Sequence, residues 1–286
     1  MKKMKKLIGT ISILLSVLIM NGLAACGQSQ EAAAGLRNTS PRQNQESIVY
    51  LHDDPLKDEV QLSVYKEETM EEEEIEQPKQ DEIPDSYQIE GFDVVLQMPE
   101  LPTGCEITAM TMALRYYGLD ADKVTMATDY LPTVPLSLQY GNDGLLYGPD
   151  LNQYFVGDPE TSAGYICGTP AVTTAANTYL QEVGSSLQAV DKTGSSTEEL
   201  YHMVSQNTPV VVWVTISMAE RNVSGGWYTE SGEYVDWATN DHGAVLIGYT
   251  PDSVTIADPI SGLVTYSRER FEAVFESRGN QCVLLQ

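Results

Sequence analysis

The sequence predicts an α+β domain over its C-terminal part, on three observations. Helical periodicity dominates between residues 105 and 207, β-branched runs dominate from Pro209 onward, and no internal repeat interrupts that order. Helices first and strands afterwards imply an N-terminal helical part packed on a C-terminal antiparallel sheet.

The elements justify this in order. VVLQMP (94–99) is a short apolar run expected as a strand. CEITAMTMALRYYG (105–118) is helical, because Ile107, Met110, Leu114 and Tyr117 recur at spacings of three and four and Gly118 supplies the stop. Thr103 and Glu106 have the T-x-x-E spacing of a capping box, which places Cys105 inside the first turn. A second helix is expected through AVTTAANTYLQEV (171–183), with Pro170 at its first position. A third is expected through EELYHMVSQN (198–207), capped by Ser196 with Glu199. PVVVWVTI, GAVLIGYT, SVTIAD, LVTYS and QCVLLQ are strand-like, with the turn Pro251-Asp252 joining two of them. RERFEAVFESRG (268–279) is a helix before the last strand. Gly225-Gly226 and Asn142-Asp143-Gly144 are expected as turns.

Ahead of this domain the composition differs. Residues 1–25 place Lys2, Lys3, Lys5 and Lys6 before an apolar run from Leu7 to Met20, which is the build of a secretory signal peptide. Leu23-Ala24-Ala25-Cys26 resembles the bacterial lipobox, which implies lipidation of Cys26 and an anchor on the extracytoplasmic side of the cell membrane. Residues 26–88 are expected to be an acidic low-complexity tether, with EETMEEEEIEQPKQDE as its most charged run. A short strand pair at 49–66 interrupts it, with no role assigned. The folded domain is then expected over 89–286. Removing residues 1–25 takes four lysines and no acid, so the net charge goes from −25 to −29. Such a surface repels polyanions, which excludes nucleic acid as a partner.

Cys105 can be a buried structural thiol, half of a disulfide, or a nucleophile. Beyond Cys26 the cysteines are Cys105, Cys167 and Cys282, an odd number for an exported chain. Pairing of Cys167 with Cys282 is one expectation, with two buried thiols as the alternative. A nucleophilic thiol needs its pKa lowered, and a helix start contributes to that. It also needs a histidine as base and acid. His52 lies in the tether. His202 lies on a helix whose apolar face is Leu200, Met203 and Val204, which leaves it exposed. His242 opens the strand GAVLIGYT and follows a Trp- and Gly-rich loop. Asp258, at the end of the following strand, is the expected orienting acceptor, ahead of Asp241 and Asp252. An ideal two-residue turn at Pro251-Asp252 sets Asp258 opposite Val245, on the wrong face from His242; a bulge or a longer loop corrects this. Trp213, Trp227 and Trp237 are expected mainly as packing. Three scattered histidines without CxxC or HExxH give no metal-ligand spacing, and no cofactor is expected.

Five stretches then carry a resemblance: LQMPELPTGCEITAMTMALRYYG, LLYGPDLNQYFVGDPETSAGYICGTPA, PVVVWVTI, DHGAVLIGY and VTIADPISG. In this order, over roughly residues 90–286, the chain resembles the bacterial C39-like peptidases, which are papain-like cysteine peptidases. The resemblance implies a papain-like fold, Cys105 as nucleophile, His242 as general base and acid, and Asp258 as orienting residue. It also implies Gln97, eight residues before the cysteine, as the oxyanion-hole glutamine beside the Cys105 backbone N–H. The implied partner is a peptide or protein substrate, taken by a monomer. Two alternatives stand beside this reading: an idle papain-like domain that binds peptide or cell-wall material, and a cell-wall amidase or acyl transferase.

Overall fold

The structure, a computed structural model, describes residues 83–286. The signal peptide expected at 1–25, the lipidation site Cys26, the tether through residue 82, the 49–66 strand pair and His52 lie outside the described residues. In chain order the elements are β1 (Tyr87–Gln88), α1 (Cys105–Tyr116), the single turn α2 (Lys123–Thr125), β2 (Thr133–Val134), β3 (Gln139–Tyr140), β4 (Leu146–Tyr147), β5 (Phe155–Val156), α3 (Thr169–Glu182), β6 (Ala189–Asp191), α4 (Thr197–Ser205), β7 (Val210–Thr215), β8 (Val223–Tyr228), β9 (Tyr234–Ala238), β10 (Asp241–Tyr249), β11 (Ser253–Asp258), β12 (Gly262–Ser267), α5 (Arg268–Ser277) and β13 (Cys282–Leu285).

The β-branched runs build one antiparallel sheet in the order β12-β11-β10-β7-β13-β6, with β1 pairing onto the end of β10. Its middle strands, β7 and β10, are buried almost throughout, so they read as unbroken apolar runs rather than alternating ones. α1 covers this centre and is buried from Cys105 through Leu114. Together they form one core that includes Leu101, Ile107, Met110, Leu114, Val211, Trp213, Val245 and Phe271. This is the α+β architecture that the order of elements predicted, with an N-terminal helical part packed on an antiparallel sheet.

Local chemistry explains most element ends. Ser196 and Glu199 form the expected reciprocal capping box: Glu199 N–H donates to Ser196 Oγ and Ser196 N–H to Glu199 Oε2. Pro170 lies in the first turn of α3. Three expectations are corrected. VVLQMP is not a strand: it joins no ladder, Pro99 has no N–H to offer one, and residues 98–100 turn. Its one tie to the sheet end is Gln97 N–H to Pro259 O at 2.7 Å. Gly225-Gly226 is not a turn but part of β8, in a small sheet ordered β3-β4-β8-β9. A Cβ at Gly226 would stand 2.1 Å from Val235 O, so the glycine permits a close backbone approach. The Thr103–Glu106 capping box is absent: α1 is preceded by Gly104 with no side-chain cap. Thr103 Oγ1 instead reaches the Asp158 and Thr161 carbonyls.

One packing contact positions everything that follows. A Cβ at Gly243 in β10 would lie 2.7 Å from Glu106 Cα and 3.0 Å from Glu106 N, so the first turn of α1 rests directly on the strand backbone. Gly243→Ala is therefore expected to destabilise the protein by about 1–3 kcal/mol, the usual cost of overpacking. Urea unfolding measures this, and an unchanged midpoint would contradict the close contact.

Candidate active site

Cys105 is the first residue of α1 and is 8 % exposed, so it is covered rather than displayed on an open cleft wall. Its sulfur lies against the backbone N–H of Gly243, the residue after His242. The helix start and the beginning of β10 thus bring Cys105 and His242 to one place on the fold. No hydrogen bond joins the sulfur to the imidazole.

Asp258 joins this place through an irregularity in the sheet. In the β10–β11 ladder Tyr249 pairs with Val254 and Gly248 with Thr255, but Leu246 pairs with Ile256 and Val245 with Ala257. Ile247 is the extra residue of a β-bulge, and its carbonyl is taken by Ile89 N–H at 2.8 Å. The turn at Pro251-Asp252 is a tight two-residue one, closed by Thr250 N–H to Ser253 O. Without the bulge Asp258 would stand opposite Val245. With it, the register continues to Ala244, and Asp258 shares a face with His242. His242 Nε2 lies 3.1 Å from Asp258 Oδ2, with side chains 1 % and 5 % exposed. The contact is close but the N–H is not well aligned, and His242 Nδ1 has no hydrogen-bond partner. Burial would raise the Asp258 carboxyl, but contact with His242 and the N–H groups of Ser261 and Ile260 outweigh it and hold the pKa below the ordinary value.

Gln97 stands beside this group, tied at its backbone to Pro259. Its side chain is not turned toward the sulfur as an available donor. Nε2 donates to Leu101 O at 3.0 Å and to Pro102 O at 2.9 Å, which uses both amide hydrogens to brace the loop before Cys105. Oε1 is buried without a partner.

The residue that the sequence reading assigned to a cap is Glu106. It is 1 % exposed, and Cys105 Sγ donates to its Oε2 at 3.2 Å. Oε1 has no hydrogen-bond partner. Burial pushes the Glu106 carboxyl up to about 7, against its own and the Cys167 backbone N–H. Burial, then the Glu106 charge, push the Cys105 thiol well above its ordinary value. Behind Glu106 lies a charged cluster. Asp241 Oδ1 and Oδ2 accept from Arg221 Nε and Nη2, both at 2.9 Å, and Arg278 Nε lies 3.2 Å from Asp241 Oδ1. In the sequence Asp241 stood only as a weaker alternative to Asp258, and nothing there pointed to Arg221 or Arg278, which meet it through the fold.

Cys167 and Cys282 do not pair; among the described residues all three cysteines are free and buried. Their surroundings differ. Cys167 lies near Glu106, whereas Cys282 Sγ donates to Lys192 O at 3.2 Å. His202 is exposed on α4, as the apolar face of that helix predicted. Trp213 and Trp227 are packing residues, donating to Cys167 O and Pro149 O. Trp237 is half-buried, with its ring 4.8 Å from that of Tyr165. Both rings line a cavity of about 760 Å³ bounded also by Pro135, Asp158 and Gly164. Asp158 accepts from Thr103, so the cavity adjoins the loop that leads into Cys105.

A depressed carboxyl pKa contributes stability above the ordinary carboxylate range, and that contribution disappears as pH falls through the folded-state value. Asp258→Asn is therefore expected to cost about 1.5–3 kcal/mol at neutral pH, the range for hydrogen bonds to a charged group. The difference from the parent should vanish in acid. A loss that stays constant down to acid pH would contradict the His242–Asp258 pairing.

Known proteins share this frame. Residues 86–283 match the Peptidase_C39 like family. The uncharacterized protein YvpB of Bacillus subtilis (strain 168) is 31% identical over 201 residues, covering 68% of this chain and 75% of its own length. A crystal structure from Bacillus anthracis, described as a C39-like peptidase, superposes with a TM-score of 0.62 at 32% identity, covering 71% of this chain and 98% of that one. With the match running across the whole described fold, this chain belongs to the Peptidase_C39 like family.

Proposed function

We propose that the protein is a lipid-anchored, extracytoplasmic cysteine peptidase that hydrolyses amide bonds of a peptide or protein through a thioester. The observation that carries the reading is the bulge at Ile247, which aligns Asp258 with His242 beside the helix that begins at Cys105. A bulge that re-aims one buried carboxylate onto one buried imidazole suits a catalytic pair.

In this reading Cys105 Sγ attacks the amide carbonyl carbon, and its proton passes to His242 Nδ1, the nitrogen turned away from Asp258. The imidazolium gives that proton to the departing amine, leaving an acyl group on the sulfur. Water, relieved of a proton by His242, hydrolyses the thioester and the thiol is restored. Asp258 orients the ring and offsets its positive charge. The Cys105 backbone N–H, at the open end of α1, is the first oxyanion donor. Gln97 serves as the second by exchanging one of its two loop carbonyls for the oxyanion.

A second reading, an idle domain that binds peptide or cell-wall material, is favoured by one observation: both Gln97 amide hydrogens are already taken. Turnover of a panel of peptides and muropeptides separates the two, and muropeptide cleavage alone would assign a cell-wall amidase. Cys105→Ala and His242→Ala are expected to abolish turnover. Asp258→Asn should leave a residue of activity, and Gln97→Ala should cost about 10²–10³ in rate. Binding without turnover by the parent, or turnover that survives Cys105→Ala, would overturn the peptidase reading.

A further inference from the structure

The group that touches the Cys105 sulfur is neither His242 nor Gln97 but the neighbouring carboxyl. We infer that Glu106 is a further catalytic residue, which must hold a proton whenever Cys105 is a thiolate. The inference rests on the reading of Cys105 as nucleophile.

The geometry leaves little choice. Sγ and Oε2 are 3.2 Å apart and both residues are buried, at 8 % and 1 % exposure. With Glu106 ionised, loss of the thiol proton would place two negative charges in contact in a water-poor site. That arrangement is disfavoured by mutual repulsion and by desolvation of both. With Glu106 protonated, the same contact reverses: the carboxyl donates to the thiolate and stabilises it. The step balances, since Glu106 keeps its own proton while the thiol proton passes from Sγ to His242 Nδ1, leaving one thiolate and one imidazolium. No co-reactant is needed.

The remaining surroundings do not relieve the pair. The backbone N–H groups of Gly243 and Cys167 lie near the sulfur and the carboxyl and favour their charged forms, but neither brings a positive charge. The Cys167 thiol is itself pushed up by burial and stays neutral. Asp241, on β10, adds like charge toward Glu106, but it is bound on both oxygens by Arg221, which also binds Asp236. Arg278, beyond the end of α5, attracts Glu106 across the cluster, yet its nearest acid is Asp241. His242, on the same strand, takes the thiol proton in the reading above, and its single positive charge offsets the thiolate but not a second, ionised carboxylate beside it. Glu106 titrates at about 7, so the competent form is the one present below that pH and lost above it.

The test is the pH dependence of iodoacetamide alkylation of Cys105 in the full chain, followed by peptide mass spectrometry. In Glu106→Gln the carboxylate is replaced by a neutral isostere. The thiol midpoint should fall, and alkylation at pH 8 should rise by on the order of tenfold or more. An unchanged or raised midpoint would overturn the inference. Should that variant not fold, isotope-edited infrared spectroscopy of the Glu106 carboxyl offers a second measurement. The midpoint near 7 should move upward in Cys105→Ala, which removes the thiol donor, and an unmoved midpoint would overturn the inference. Neither readout requires turnover. If no peptide or muropeptide is cleaved while the alkylation midpoint falls as expected, the peptidase reading fails and the coupling of Cys105 to Glu106 stands; cleavage with an unmoved midpoint is the reverse case.

Discussion

The close approach of the first turn of α1 to the backbone of β10 at Gly243 is the constraint on which the site depends. A side chain at Gly243 would separate the helix start from the strand. Because it has none, Cys105 comes to rest against the residue that follows His242, and Glu106 is driven into the interior rather than left at the surface. The bulge at Ile247 then supplies the missing half-step that turns Asp258 onto the face of His242. A missing Cβ and one extra strand residue thus convert ordinary helix-on-sheet packing into a gathered set of titratable groups. The surrounding core offsets the cost of burying them: α1, β7 and β10 are apolar at nearly every inward position.

The charged residues behind the site belong to the same arrangement. Asp241 precedes His242 and projects to the opposite side, where Arg221 grips both its oxygens and Arg278 lies alongside. A buried acid held in this way stabilises little by itself, because desolvation of the ions offsets their attraction. Its effect is positional. It anchors the beginning of β10, and with it the backbone that carries His242 and Gly243. Gln97 acts comparably on the other side, where its amide clamps the Leu101 and Pro102 carbonyls and so sets the path of the loop into Cys105.

Much of the fold was legible because its elements obey strong local rules. The three-to-four spacing of Ile107, Met110 and Leu114 located α1, Ser196 with Glu199 located α4, and the β-branched runs located β7, β10 and β11. The placement of Cys105 at a helix start, His242 near a strand start and Asp258 at a strand end was legible as well. What was not legible depended on tertiary contacts. Glu106 has the spacing of a cap, and only its burial against Gly243 turns it toward the sulfur. Gly225-Gly226 has the composition of a turn, and only the approach of Val235 makes it strand. Cys167 and Cys282 satisfy a count without sharing a neighbourhood. The need for a bulge was readable from the Pro251-Asp252 turn, but its place at Ile247 was not, since Ile89 and Gln88 from a distant segment hold it there.

The central claim is that Cys105 reacts from the start of α1 with His242 at its side. A crystal structure of the full chain treated with a peptide aldehyde tests this most directly. The account predicts a hemithioacetal on Cys105 Sγ, its oxygen at the Cys105 backbone N–H and His242 Nδ1 turned to the adduct while Nε2 keeps Asp258. An unmodified Cys105 at saturating aldehyde, or an adduct with His242 turned away from it, would contradict the account.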